Sequence, residues 1–142
     1  MVQLIRREFV INIARPSAWA HLARVERWPS WAQHIKKVDL DPPGELTSHS
    51  KGLFRLSNRI KSQFVVTEFD RPRGWKWVGP FLWLTVHYDH RFEELTDRKT
   101  KLTWIVEADG FGASVFGRIF AAVYNANLDR AIPKLIGEME KS

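Results

Sequence analysis

Residues 82–95 of the chain, LWLTVHYDHRFEEL, alternate between apolar and polar side chains. A period of two is the side-chain period of a β-strand, because successive side chains point to opposite faces of a sheet. The stretch therefore predicts a long strand with one face toward a core and the other toward water. We expect the core face to carry Leu84, Val86, Tyr88, His90 and Phe92, and the water face to carry Thr85, His87, Asp89, Arg91 and Glu93.

Six further segments have the composition and spacing of antiparallel strands, and Pro, Gly, Asp and Asn punctuate the chain between several of them. In the last segment, KLTWIVEAD, the alternation places Trp104 and Val106 on the core face. Trp75 and Trp77 share a face, which we assign to the same interior. The six segments are residues 3–13, 35–40, 51–57, 60–70, 75–78 and 101–109.

In the segment 60–70, IKSQFVVTEFD, the alternation does not show which side chains face the core. Phe64 and Val66 share parity with Glu68, whereas Val65 and Phe69 share it with Thr67. Either set can face the core, so the facing stays open and Glu68 stays a candidate interior carboxylate.

Three helices are predicted. Pro16 and Ser17 suit the start of a short helix after the first strand, and residues 27–33, with Pro29 in the first turn, form a second short piece. The long helix begins near Gly112 and runs toward Met139, and Pro133 should kink it or break its hydrogen bonds locally. Its apolar stripe comprises Phe116, Ile119, Phe120, Val123, Tyr124, Asn127, Leu128, Ala131 and Leu135.

The order of these elements, together with four local phrases, resembles the START-like (SRPBCC) superfamily in its polyketide cyclase/dehydrase and lipid transport branch. The resemblance covers essentially the whole chain, and it implies an α+β helix-grip fold in a single domain, residues 1–142. In that fold a curved seven-stranded antiparallel sheet wraps a long C-terminal helix, with two short helices after strand one. The phrases are IARPSAWAHLARVERWPSWAQHI (13–35), VVTEFDRPRGWKW (65–77), HRFEEL (90–95) and TKLTWIVEADGFG (100–112).

Composition limits the function classes. The absence of cysteine excludes disulfides, thiolate metal sites and thiol nucleophiles. We expect a cytoplasmic protein, since the N-terminus lacks a signal peptide pattern and no apolar run is long enough to span a bilayer. The net charge is +6, but the basic residues are scattered, so a nucleic-acid site is not favoured.

The predicted interior holds few polar groups among many rings, which is typical of a small-molecule pocket. We expect a cavity of several hundred Å³, the usual size of such sites, with no cofactor and no metal. His87 and His90 point to opposite faces of their strand, so they cannot share a metal. The candidate ligand-binding residues are Trp31, Trp77, Tyr88, His90, Trp104, Val106, Phe120, Tyr124 and Asn127.

Three functions remain open. The first is a binding module for a small hydrophobic ligand of the lipid, polyketide or isoprenoid type. The second, which the resemblance allows, is a polyketide cyclase, aromatase or dehydratase with Tyr88 and His90 as acid/base groups. The third is an interaction protein that acts through its basic surface. The oligomeric state, monomer or homodimer, also stays open.

Overall fold

A computed structural model describes residues 1–81 and 83–141. The chain forms a strand, two short helical segments, six more strands and one long helix, as the sequence predicts. The elements are β1 (Val2–Ile11), α1 (Arg15–Leu22), a 3₁₀ helix (Val25–Ser30), β2 (Ile35–Asp41), β3 (Lys51–Leu56), β4 (Lys61–Asp70), β5 (Gly74–Phe81), β6 (Leu84–Thr96), β7 (Lys99–Asp109) and α2 (Ala113–Lys141).

All seven strands join one sheet in the order β1-β7-β6-β5-β4-β3-β2. Every neighbouring pair is antiparallel. Strands β2 to β7 therefore follow one another as a meander, and β1 is added beside β7. The curved sheet, the long C-terminal helix and the short helices after strand one confirm the predicted α+β helix-grip architecture.

Several predicted boundaries differ from the structure by one to three residues. The strand predicted over 82–95 begins at Leu84, and Leu82 lies outside the described residues. The second helical piece was expected over 27–33, whereas the structure has a 3₁₀ helix over Val25–Ser30. The Trp31 N–H donates to the Trp28 carbonyl at 3.1 Å, which is the i to i+3 bond of that tighter helix.

A β-bulge explains why simple alternation does not predict which side chains of strand β4 face the core. Phe64 and Val66 are buried, as one parity requires. The pairing with β5 then shifts register between Val66 and Glu68, which exchanges the two faces. Phe69 consequently packs against Trp19, with ring centroids 5.4 Å apart. Glu68 is exposed and pairs with Lys76, so it is not an interior carboxylate.

One residue of the predicted water face of β6 is buried. The Asp89 side chain is only 11% exposed, and its carboxylate accepts a hydrogen bond from Arg91 Nε at 2.8 Å. Asp89 lies in the middle of the sheet, in register with Lys76 on β5 and Ile105 on β7. Because these longer side chains stand on both sides of it, alternation alone places Asp89 on the correct face but overestimates its exposure.

Helix α2 begins at Ala113, within the predicted range, and continues through Pro133 without interruption. Its sheet-facing side carries Phe120 and Tyr124 as predicted, and then a fully buried run. That run comprises Leu128, Ala131, Ile132, Leu135 and Met139.

The outer flank of the predicted apolar stripe on α2 is exposed. Phe116, Ile119 and Val123 are 38%, 64% and 62% exposed. The predicted apolar stripe is wider than the buried face of the helix, because a single sheet covers only one side of the first half of α2. This half of α2 is therefore less enclosed than the second half.

The C-terminal end of α2 is tied to the short helices by polar contacts. The Glu138 carboxylate accepts a hydrogen bond from Ser30 Oγ at 2.8 Å and lies 2.8 Å from His21 Nε2. The Asn12 backbone N–H donates to Glu140 at 2.9 Å. These bonds join α2 to α1, to the 3₁₀ helix and to the end of β1.

Candidate functional site

A cavity of about 30 Å³ lies between the inner face of the sheet and α2. The predicted size of several hundred Å³ is therefore wrong. Aromatic rings fill the space, because Trp28 packs 5.2 Å from Trp31 and 5.3 Å from Trp77. The lining residues are Trp28, Trp31, Ala32, His34, Ile35, Tyr88, Asp89, His90, Trp104, Ile105, Val106, Tyr124 and Leu128.

Six of the nine predicted ligand-binding residues line this cavity, and three do not. Trp77 is packed behind it, with its ring 4.5 Å from that of Phe64. Phe120 lies beyond Tyr124, on which it stacks at 5.4 Å. Asn127 is absent from the lining. The six that line the cavity are Trp31, Tyr88, His90, Trp104, Val106 and Tyr124.

The cavity also has lining residues outside the predicted set. Ala32 and His34 come from the turn after the 3₁₀ helix, Ile35 begins β2, and Leu128 comes from α2. The sequence signal for the first three was their position just after Trp31.

His90 is held among rings by the register of three strands. On β6 it lies opposite Trp75 of β5 and Trp104 of β7. Its imidazole stacks on Trp75 at 4.9 Å with an interplanar angle of 22°, and meets the Trp77 ring edge-on at 4.7 Å. Only 6% of His90 is exposed, so the prediction that it faces the interior is confirmed.

This burial determines the charge of His90. Loss of water contact lowers the pKa of its imidazole to about 3, although a hydrogen bond to the Trp75 backbone opposes the shift. The ring is therefore neutral at pH 7. Its Nδ1 atom is buried and has no hydrogen-bond partner among the described residues.

Two of the three tryptophans that line the cavity differ in how their indole N–H is used. Trp28 Nε1 donates to the Leu22 carbonyl at 2.9 Å, which fixes its ring between α1 and the cavity. Trp104 Nε1 is buried and finds no acceptor among the described residues. An indole nitrogen is a donor only, so Trp104 presents one unused donor.

Asp89 borders the cavity too, but its carboxylate binds Arg91 on the opposite face of β6. The remaining polar side chains of the lining are two phenols and one imidazole. Burial and then the nearby Tyr124 phenol raise the pKa of Tyr88, and burial raises the pKa of Tyr124 to about 12. Burial lowers the pKa of His34, whose ring lies 6.4 Å from that of Tyr124. All three groups are thus neutral at pH 7, and the cavity as a whole favours an uncharged ligand.

Two kinds of site are not found in the part of the chain that the structure describes. Residues 1–81 and 83–141 contain no group of three or more His, Asp or Glu side chains that could hold a metal ion. None of the helices over these residues is long and apolar enough to cross a membrane.

Comparisons with known proteins agree with this architecture. A sequence model of the family described as polyketide cyclase / dehydrase and lipid transport matches residues 3–140. No curated protein sequence matches the chain.

Several solved structures share the fold. A conserved protein of Geobacillus kaustophilus has a TM-score of 0.72 at 17% identity, over 96% of this chain and 95% of that one. A hypothetical protein of Helicobacter pylori reaches 0.76 at 14% identity, over 94% and 86%. The Zhui aromatase/cyclase of Streptomyces sp. R1128 reaches 0.69 at 15% identity, over 96% and 93%. At these identities the likenesses establish the fold alone.

Proposed function

This chain belongs to the polyketide cyclase / dehydrase and lipid transport family, and from that premise we propose that it binds a small hydrophobic ligand between the sheet and α2. The ligand is of the lipid, polyketide or isoprenoid type. The observation that carries the proposal is the cavity itself, where neutral polar groups lie among aromatic rings. Apolar walls with a few polar groups are the usual lining of small-molecule sites.

A ligand of that type is larger than 30 Å³, so its binding requires rings to move apart. The first half of α2 is the part best suited to move. Its ring contacts with the sheet are Phe120 on Phe81 at 4.8 Å and Tyr124 on Tyr88 at 6.1 Å. It also packs against Leu4 of β1 at Gly117 and accepts a long hydrogen bond from Arg7 at Asn125, 3.4 Å. On its outer flank the side chains of Ile119 and Val123 are largely exposed. Ligand rings between α2 and the sheet would replace these contacts with similar ones.

The ionisation of the lining supports binding over acid/base catalysis. An efficient general acid or base has a pKa near the working pH. His90 has a pKa of about 3, and burial raises the pKa of Tyr88 above its ordinary value. Both groups are therefore poor at exchanging protons at pH 7, but they can hold a ligand by hydrogen bonds. A cyclase, aromatase or dehydratase using Tyr88 and His90 is the less favoured alternative.

The proposal is tested by tryptophan fluorescence together with native mass spectrometry. Freshly purified protein is examined for a co-purified small molecule, and is then titrated with fatty acids, sterols, flavonoids and polyketide mimics. Because Trp28, Trp31 and Trp104 line the cavity, a bound ligand should change their emission. The change should shrink in Trp31→Phe and persist in the control Trp83→Phe, whose ring is 54% exposed and does not line the cavity.

Two results would contradict ligand binding. One is a protein that carries no small molecule and whose emission and melting temperature stay constant across the whole panel. The other is an emission change that is abolished by Trp83→Phe and kept in Trp31→Phe, since it would place the ligand on the outer surface.

A further inference from the structure

Six exposed large apolar side chains lie at one end of the sheet, which we call the apolar end. In an antiparallel meander every second turn falls at the same end, so the β3–β4 turn, the β5–β6 turn and the connection from β7 to α2 lie together. The register agrees, because Thr85 at the start of β6 pairs with Asp109 at the end of β7. The six side chains are 38% to 90% exposed, and they are Ile60, Trp83, Phe111, Val115, Phe116 and Ile119.

Three rings at the apolar end form one connected surface. Phe111 is 90% exposed and stands between Gly110 and Gly112, which both have positive φ angles. Its carbonyl accepts a 2.8 Å hydrogen bond from Trp83 Nε1, and the Trp83 ring meets Phe116 edge-on at 4.8 Å. At about 200 Å² for each ring, the exposed fractions amount to roughly 360 Å². The rings alone therefore reach the size of the largest apolar patch on a typical monomer.

The start of α2 extends this surface. Val115, Ile119 and Val123 follow one another at a spacing of four residues on the outer flank of the helix, and each is more than 60% exposed. A helix that is apolar all round is normally covered all round. The sheet covers only the inner side of this half of α2, so the outer flank calls for a partner.

The charges around the apolar end indicate what that partner is. Glu107 and Asp109 of β7 lie toward this end, and cations outnumber them. Exposed rings beside free cations are complementary to an anionic lipid bilayer, whose headgroups attract the cations and whose interface accepts aromatic side chains. The cationic side chains that lie there and form no ion pair with a described residue are Lys36, Arg59, Lys61 and Arg118.

A second copy of the chain fits this surface less well. A twofold contact joins the same patch of both copies, so each free cation would face others of its own sign. Juxtaposed like charges disfavour such an interface. A bilayer that contains anionic lipids offers the opposite sign to every one of these cations.

We propose that the apolar end docks on an anionic lipid bilayer. Phe111 and Trp83 enter the headgroup region, and Arg59, Lys61 and Arg118 meet the lipid phosphates. This docking goes beyond the binding of a ligand in the cavity and does not depend on it.

Co-sedimentation with lipid vesicles tests the docking. Vesicles of phosphatidylcholine with about 30% phosphatidylserine should bind the unmodified protein at least tenfold more tightly than vesicles of phosphatidylcholine alone, because several cations lie near the membrane surface. Raising the salt concentration to about 0.5 M should remove most of this difference by screening.

Variants assign the binding to the apolar end. Phe111→Ser should weaken binding to the anionic vesicles roughly tenfold, since one inserted ring is lost. Arg118→Gln should weaken it about fivefold and narrow the difference between the two vesicle types. The matched controls Leu95→Ser and Lys99→Gln change exposed side chains at the opposite end of the sheet, beside the β6–β7 turn, and should leave binding unchanged. Circular dichroism checks that all four variants fold.

The outcomes separate docking from the binding of a ligand in the cavity. Equal binding to the two vesicle types, or binding to neither, overturns the docking, and so does a loss in Leu95→Ser as large as that in Phe111→Ser. A dimer in analytical ultracentrifugation that Phe111→Ser abolishes, with no vesicle binding, assigns the apolar end to a second copy instead. In each case binding in the cavity still stands, because its titrations contain no vesicles.

Discussion

At the scale of single residues, His90 shows how neighbours determine chemistry. Trp75 on one strand and Trp104 on the other exclude water from its imidazole, and Trp77 meets it edge-on. The free energy of charging a group in such surroundings is unfavourable, so the ring stays neutral. A histidine in water could serve as a proton shuttle at neutral pH. Here the same side chain stays neutral throughout the physiological pH range.

The lowered pKa of His90 predicts a specific acid sensitivity. The folded pKa of about 3 lies below the unfolded value of 6.5, so between these pH values the unfolded chain binds a proton that the folded chain does not. The free energy of unfolding should therefore fall as pH falls through that window, by about 1.4 kcal/mol per pH unit for this one group. Urea unfolding of His90→Phe at pH 7, 6, 5 and 4 should lack this part of the loss.

Trp77→Phe is the matched control, because Trp77 is equally buried beside His90 but has no titratable group. It should lower stability by a similar amount at every pH. Parallel pH profiles for the unmodified protein and His90→Phe would mean that His90 charges in the folded state.

For single residues, the sequence predicted which way a side chain points better than it predicted how much space is left around it. Alternation placed Tyr88, His90 and Trp104 inside correctly, since the period of a strand is fixed by its backbone. It could not separate Trp77, which is buried behind the cavity, from Trp31, which lines it. That difference depends on the packing of Trp77 against Phe64 and Phe54, which are far away in sequence.

At the scale of elements, two glycines of α2 differ in what surrounds them. A Cβ added at Gly137 would meet no atom within 4 Å, whereas one added at Gly117 would lie 2.6 Å from Leu4 Cδ2 on β1. The first half of α2 thus approaches the sheet edge most closely where it has no side chain. Glycine at both positions lowers the intrinsic stability of the helix.

The pair predicts unequal effects from one kind of substitution. Gly137→Ala should raise the free energy of unfolding by roughly 0.5–1 kcal/mol through helix propensity. Gly117→Ala should raise it less, because the Leu4 side chain must turn away from the new methyl group. In a Leu4→Ala background, Gly117→Ala should gain as much as Gly137→Ala does. Chemical denaturation measures these values, and equal gains from Gly117→Ala and Gly137→Ala in the unmodified chain would refute the close approach.

Strand β4 marks the limit of prediction for elements. Its existence and length followed from the pattern, but its facing did not, because a bulge after Val66 exchanges the faces partway along. The bulge depends on register with β5, which no local pattern contains. The 3₁₀ geometry at Trp28 and Pro29 is a similar case, since it depends on how the segment closes against β2.

At the scale of the whole molecule, the basic charge is dispersed and about half of it is paired. At least eleven of the 22 Lys and Arg side chains lie within 4 Å of a carboxylate. Examples lie on different strands, such as Lys101 with Glu8 and Arg55 with Asp39. Paired cations release fewer counterions on meeting a polyanion, so we expect the surface to bind nucleic acid weakly.

Weak binding to RNA is the corresponding prediction. Fluorescence anisotropy with a labelled single-stranded RNA in 150 mM salt should give a dissociation constant weaker than about 10⁻⁵ M, in the range of non-specific contacts. Sub-micromolar binding that weakens steeply with salt would contradict this expectation. It would favour a partner-binding role through the basic surface.

The whole fold was more predictable than the site within it. The order of strands and helices fixes how the sheet can close around α2, and that order can be read from local patterns. The cavity volume is a small difference between the space enclosed and the volume of the rings that fill it. The chain has seven tryptophans and nine phenylalanines, and rings such as Trp28 and Trp77 occupy the interior as well as lining it.

The bonds that tie Glu138 to Ser30 and His21 hold the C-terminal end of α2, so we expect an opening of its first half to turn about that end. Such a turn would also have to break the 2.8 Å bond between Arg7 on β1 and Asp129 on α2. Tyr124 is 14 residues from Glu138, or roughly 21 Å at the rise of an α-helix. A rotation of about 10° would move Tyr124 roughly 4 Å further from the sheet, which is about the thickness of one aromatic ring. A flat molecule could thus enter between α2 and the sheet while the contacts of Glu138 stay intact. A bulky molecule would require a much larger rotation of α2.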